Sequence, residues 1–218
     1  MDVSFDPMHH LGKALELDPL NTNAAILHAK LLILRGEECA AISFTEKFLA
    51  RFGPHPNLYN LHALACLKNS RIAEAEESIS NALAELPRSK EILHTAFLIK
   101  KAKGEKFSAY HFLERIIRID DQCFETFWEM AKLLDKNSEI SKIINLLEIA
   151  YSLNCKNFKI FKELVHCYDQ QTEHLSIDHL DKQIINDLRR HTQNPFFIKL
   201  NPELKKNIVN KLKKLVPS

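Results

Sequence analysis

The side chains able to do chemistry in this sequence are mostly histidines, 11 in all, with 5 cysteines and scattered carboxylates. Metal binding needs three or four ligands converging on one point, and acid–base work needs a base beside its partner. His9 and His10 are chain neighbours, and adjacent residues leave a helix on different sides. His174 and Asp178 are spaced to meet on one helix face, but two ligands do not close a site. His166, Cys167 and Asp169 lie close in sequence without sharing a face. The Asp120–Asp121 pair falls in a loop, where carboxylates cap helices or face water. The sequence holds no GxGxxG or GxxxxGK[ST] phosphate loop, no GxSxG and no HExxH. No catalytic residue, metal set or cofactor is assigned, and the chain is not expected to be an enzyme.

The cysteines (Cys39, Cys66, Cys123, Cys155, Cys167) form no CxxC pair and no zinc-like spacing. Their odd number and even scatter fit buried thiols in a reducing compartment. No Asn-x-Ser/Thr acceptor occurs. Met1 to Leu11 lacks the basic-then-apolar order of a signal peptide, and no apolar stretch approaches the roughly 20 residues that span a bilayer. These features point to the cytosol.

Charge is unevenly placed. Residues 189–218 carry eight basic residues against one acid, Glu203, a net +7, which leaves 22 basic and 27 acidic residues, a net −5, in 1–188. The overall +2 by itself predicts no nucleic-acid partner.

The elements that must position these groups repeat. With only 4 glycines, a strand-and-turn architecture is disfavoured. From the segment Pro56–Pro87, PNLYNLHALACLKNSRIAEAEESISNALAELP, steps of 34 residues stay in phase through five frames. One small or apolar column is Ala29, Ala63, Phe97, Ala131, Val165; a second is Ala41, Ala75, Ala109, Ile143, Ile177; a third is Phe48, Ala82, Ile116, Ala150, Ile184. A bulky column holds Tyr59, Leu93, Phe127 and Phe161, with Ala25 its weak member. A turn column reads Gly36, Ser70, Gly104, Ser138, Thr172. In these columns and in Pro87 the chain resembles the tetratricopeptide repeat over about residues 14–190. Departures are Lys100 and Asp181 in packing columns, and Asp121, Cys155 and Arg189 where a closing proline belongs.

The resemblance implies an all-α solenoid of stacked antiparallel helix pairs in a right-handed superhelix, each pair burying an apolar face on its neighbours. Residues 1–20 are expected to be a partial N-terminal repeat or cap, or the point where a longer array is entered. Residues 21–190 are five repeats, and residues 191–218 a linker and a basic amphipathic C-terminal helix. Asn201-Pro202-Glu203 starts that helix, and Leu204, Ile208, Leu212 and Leu215 share its apolar face. A cap on the last repeat is preferred over an anchor on an anionic membrane surface.

The resemblance also implies a partner: in this family the first helices of successive pairs line a concave groove for a peptide or helix of another protein. On this chain the expected ligand-binding residues are Ile33, Leu64, Leu67, His94 and Leu98 in the first half, and Trp128, Lys132, Lys162 and His166 in the second. The isoleucine and the three leucines would form an exposed apolar patch. Trp128, the single tryptophan, would be an aromatic anchor among charges, whose loss should leave stability nearly unchanged. Some members hold a terminal carboxylate of a chaperone tail with paired Lys and Asn. Here Ile26, Leu61 and Thr95 stand where that clamp needs polar groups, so none is expected. The expected function is a non-enzymatic cytoplasmic scaffold or adaptor, including the form of a bacterial secretion chaperone or a secreted effector acting in a host cytosol. The rival is a regulatory repeat region of a larger transferase-type enzyme. Oligomeric state is left open.

Overall fold

The computed structural model describes residues 6–154 and 156–172. All regular structure among them is α-helical: α1 Pro7–Leu17, α2 Thr22–Leu34, α3 Glu38–Phe52, α4 Pro56–Lys68, α5 Ile72–Glu85, α6 Lys90–Ala102, α7 Lys106–Ile117, α8 Phe124–Leu133, α9 Ile140–Leu153 and α10 Phe158–Thr172. The chain forms two compact units, Met1–Asp121 and Gln122–Ser218. The described part of the first holds α1–α7 and that of the second α8–α10. The turn-and-tail residues Ile177, Asp181, Ile184, the His174–Asp178 pair, the 191–218 segment, and the side chains of Val165, Asp169 and Thr172 lie outside what is described.

In the first unit, α2–α3, α4–α5 and α6–α7 pack as antiparallel pairs, and α4 and α6 pack side by side as the first helices of successive pairs. The small columns explain the stacking: Ala25, Ala29, Ala41, Ala63, Ala75, Ala82 and Ala109 are all fully buried, so no side chain keeps the backbones apart. Phe48, Leu58, Leu93, Phe97 and Ile116 fill the layers between them. Tyr59, half-buried, packs at the edge of its column.

Each pair is closed by the same turn. Gly36 (φ 75°), Ser70 (φ 62°) and Gly104 (φ 76°) are left-handed residues after the first helices. The next residue's amide reaches back across the turn, Glu37 to Leu32, Arg71 to Cys66 and Glu105 to Lys100, at 2.8–3.0 Å. This is the Schellman closure, which satisfies carbonyls the helix end would leave open. Ser70 holds a backbone conformation that L residues adopt only at a cost.

Lys100, the charged residue in a packing column, is accommodated by acids rather than by burial. Its Nζ donates to Glu76 at 2.6 Å and lies 3.0 Å from Glu105, while Lys103 Nζ meets both at 2.8 Å. These lysines hold the Glu76 carboxyl below its ordinary range, chiefly through their hydrogen bonds.

In the second unit α8 and α9 form one pair, and α10 packs on α9. Its core comprises Phe127, Met130, Ala131, Ile143, Ile144, Leu147, Ala150, Tyr151, Ile160, Phe161 and Leu164. The turn differs here: α8 ends at Leu133, and Leu134 leaves the helix in extended conformation (ψ 153°), so Ser138 closes no Schellman turn.

Candidate functional site

The predicted ligand-binding residues divide between the two units. In the first, Leu64 and Leu67 on α4 and Leu98 on α6 are half-buried, and His94 on α6 is exposed. Ile33 is not part of that surface. It is 4% exposed and belongs to the core with Ala29 and Ile42, whereas its neighbour Leu34 is 78% exposed and Leu27, two turns earlier, 51%. The apolar surface of α2 is therefore Leu27 and Leu34, one residue out of register with the expected column.

Between Leu64 and the start of α4 sits Asn60. It is 9% exposed, and its Oδ1 is buried with no protein partner among the described residues. Leu61 and Thr95 are also buried.

A second polar group is buried on the same helix, at His62. His62 Nδ1 lies 2.7 Å from Ser78 Oγ, and Nε2 lies 3.5 Å from Glu46 Oε1. The carboxylate favours the proton on Nε2, so the Ser78 hydroxyl donates to Nδ1. Serine, histidine and acid in series are the parts of an activated nucleophile. The surroundings do not suit the chemistry. Ser78 is 7% exposed in the middle of α5, where the backbone amides are committed to the helix and cannot form an oxyanion hole. Cys66 Sγ, 3.7 Å from His62 Nδ1, is pushed up to about 11, mainly by burial, so its thiol is inert at neutral pH. The cluster ties α3, α4 and α5 together. Cys167 is likewise buried, but Cys39 is exposed and Cys123 half-buried, so burial is not common to all the thiols. Among the described residues no group of three or more His, Cys, Asp or Glu side chains is placed to hold a metal, and no helix is long and apolar enough to cross a membrane.

In the second unit the predicted residues converge. A cleft of about 530 Å³ opens between α8, α9 and α10, with Ala131, Ile143, Leu147 and Cys167 among its walls. Lys132, Lys162 and His166 line it together with Lys136, Lys159 and Glu163. Trp128 stands beside these groups. Its indole Nε1 donates to Glu163 Oε2 at 2.7 Å, and Lys132 Nζ lies 3.5 Å from the ring centre. The tryptophan is thus half-buried and fastened across to α10 rather than free on the surface. The expectation that its loss leaves stability unchanged is corrected accordingly. Lys132 is engaged further, 2.9 Å from Glu129 Oε1.

Helix pairs closed by left-handed turns, with small residues between successive first helices, define the architecture. The chain has the tetratricopeptide-repeat fold. It is similar to the solved structures of YrrB, described as a TPR protein with an unusual peptide-binding site (TM-score 0.64, 14% identity, covering 92% of this chain and 97% of that one), and of MamA AMB-1 (0.62, 17%, 90% and 95%). TTC0263, a TPR protein of Thermus thermophilus, is similar at 0.61 and 16% identity over 74% and 88% of the two chains. No protein-family model matches the sequence, and no curated protein does.

Within the tetratricopeptide frame, Lys159 and Lys162 stand one period after Glu125 and Trp128, and His166 one period after Lys132. Glu163 was missed by periodicity because it stands 35 residues after Trp128, one beyond the period. The same offset joins Lys68 Nζ to the Ile33 carbonyl at 3.4 Å, so a period-plus-one step is the signal that finds such contacts.

Proposed function

We propose that the chain is a non-enzymatic scaffold that holds an extended peptide or helix of a partner protein against the first helices of its repeats. The observation that carries this reading is the α4–α6 surface. Half-buried Leu64, Leu67 and Leu98 lie on the packed neighbouring helices α4 and α6. A peptide or helix laid across α4 and α6 would cover these three leucines and remove their exposed apolar area from water. The peptide-binding site named for YrrB supports the same use of the fold. Free thiols at Cys39 and Cys66 support a reducing compartment such as the cytosol.

The test is a displayed library of short random peptides panned against the purified chain, with selected sequences measured by fluorescence anisotropy. Leu64→Asp and Leu98→Asp should each abolish binding of such peptides without changing helical content. Selected peptides that bind both variants unchanged would refute the surface, and a library yielding no binder would refute the scaffold.

A further inference from the structure

The α8–α10 cleft has a chemical character of its own. Among the described residues Lys132, Lys136, Lys159, Lys162 and His166 line it against one acid, Glu163. One oxygen of that acid accepts the uncharged Trp128 indole N–H, so its negative charge stays in the cleft. Among the described residues no carboxylate pairs with Lys136, Lys159 or Lys162, although elsewhere lysines are paired, as Lys90 is with Asp120 and Lys142 with Glu139. Among the described residues these three ammonium groups face one carboxylate, an excess of positive charge that an anion placed between them relieves. The cleft is also not a flat basic stripe. Its volume of about 530 Å³ falls in the range of roughly 300–1,000 Å³ for sites that enclose ligands, and Ile143 and Leu147 give it an apolar wall.

We propose that this cleft binds an acidic segment of a partner protein, with side-chain carboxylates on Lys136, Lys159 and Lys162 and an apolar residue against Ile143 and Leu147. The proposal rests on the scaffold reading above and names the chemistry of what is held. Charge complementarity selects the occupant: residues 189–218 of this chain, at +7, are repelled by the lysines. A nucleic acid offers phosphates along an extended backbone, which suits a long basic track better than a short, half-open cleft with an apolar wall and an internal carboxylate.

Trp128, the single tryptophan, supplies the readout because it touches two residues of the cleft. The intact chain is titrated with a short peptide of Glu, Leu and Ser, acetylated and amidated so that only side-chain carboxylates are available, and with its Gln counterpart. The Glu peptide should shift Trp128 emission, bind more weakly as salt is raised, and bind roughly tenfold tighter than the Gln peptide. Lys159→Gln with Lys162→Gln should weaken it by roughly tenfold, the scale of two half-exposed charge contacts. Glu163→Gln should act in the opposite direction and tighten it, because a repelling carboxylate is removed while an acceptor for the indole is kept. This variant decides the matter even if the double lysine variant loses helical content. Equal binding of the Glu and Gln peptides, weaker binding by Glu163→Gln, or tighter binding of a single-stranded oligonucleotide with the same lysine dependence would each overturn the proposal. Should library peptides bind at Leu64 and Leu98 while the Glu peptide fails, the scaffold stands and the acidic specificity falls. Failure of every peptide removes both.

Discussion

Trp128 offers the sharpest check on the second unit, because its links to α10 predict a stability cost that a surface anchor would not have. Truncation to alanine removes three things. The indole N–H to Glu163 bond, 2.7 Å long and with a charged acceptor, is worth about 1.5 kcal/mol at the low end expected for a half-exposed pair. The Lys132 ammonium 3.5 Å from the ring centre adds about 0.5–1 kcal/mol. Covering about half of a tryptophan, roughly 100 Å² of apolar area, contributes about 2.5 kcal/mol at 25 cal/mol per Å². Partial relaxation and solvation of the freed groups offset some of this, so Trp128→Ala should cost about 3 kcal/mol. Trp128→Phe, which keeps a ring and loses the donor, should cost about 1–2 kcal/mol. The assay is urea unfolding followed by far-ultraviolet circular dichroism on Trp128→Phe, Glu163→Ala, which removes the acceptor, and the double variant. Because the two side chains touch, the cycle should show a coupling of about 1 kcal/mol. Strict additivity, or an alanine variant within about 0.5 kcal/mol of the parent, would refute the link and return Trp128 to the status of a free surface residue.

Ile33→Ala should cost about 2–4 kcal/mol while Leu34→Ala stays within about 0.5 kcal/mol, measured by the same denaturation, because only the first side chain lies in the core. Ser70→Gly should stabilise by about 1 kcal/mol, seen as a melting temperature a few degrees higher, since it relieves a left-handed serine at the turn. Asn21→Ala should cost about 1 kcal/mol, because Asn21 Oδ1 accepts the Ala24 amide at 2.9 Å and caps α2. Glu76 sits below its ordinary value of 4.5 because Lys100 and Lys103 hold its charged form. Its stabilisation is therefore complete above the unfolded value and lost as pH falls through the folded one. Glu76→Gln should lower stability at neutral pH and flatten the acid side of a pH-stability curve, and an unchanged acid limb would count against the network.

The fold was legible because the repeat requirement is severe and local. A first and second helix approach closely only where both carry small residues, and alanine at Ala29, Ala41, Ala63 and Ala75 announces this directly. The turn column was legible for the same reason, since Gly36 and Gly104 mark left-handed residues that few others tolerate. Ser70 and Ser138 look equivalent in sequence, yet only Ser70 takes that conformation. The difference lies at the end of α8, which stops at Leu133 and so never delivers Ser138 to a helix terminus.

The site was legible in type but not in register. Counted from the exposed Leu27 at 3.6 residues per turn, Ile33 falls about 120° short of two full turns, while Leu34 falls only about 20° short. Leu34 therefore shares the outer face, and Ile33 turns into the core. Lys136 escaped for another reason: it lies beyond the last turn of α8, where helical periodicity has no authority. The basic character of the cleft was hidden by averaging. Residues 1–188 carry a net −5, and acids such as Glu129, Glu139 and Glu163 are interleaved with the lysines along the chain. Among the described residues Glu139 pairs with Lys142 and Glu129 with Lys132, which leaves Glu163, bonded to the uncharged Trp128 indole, facing Lys136, Lys159 and Lys162. What remains facing the cavity is set by which charges the 34-residue step brings together after local pairs have formed. An acidic chain can in this way present a basic pocket, and partner chemistry follows from the residual local field rather than from net charge.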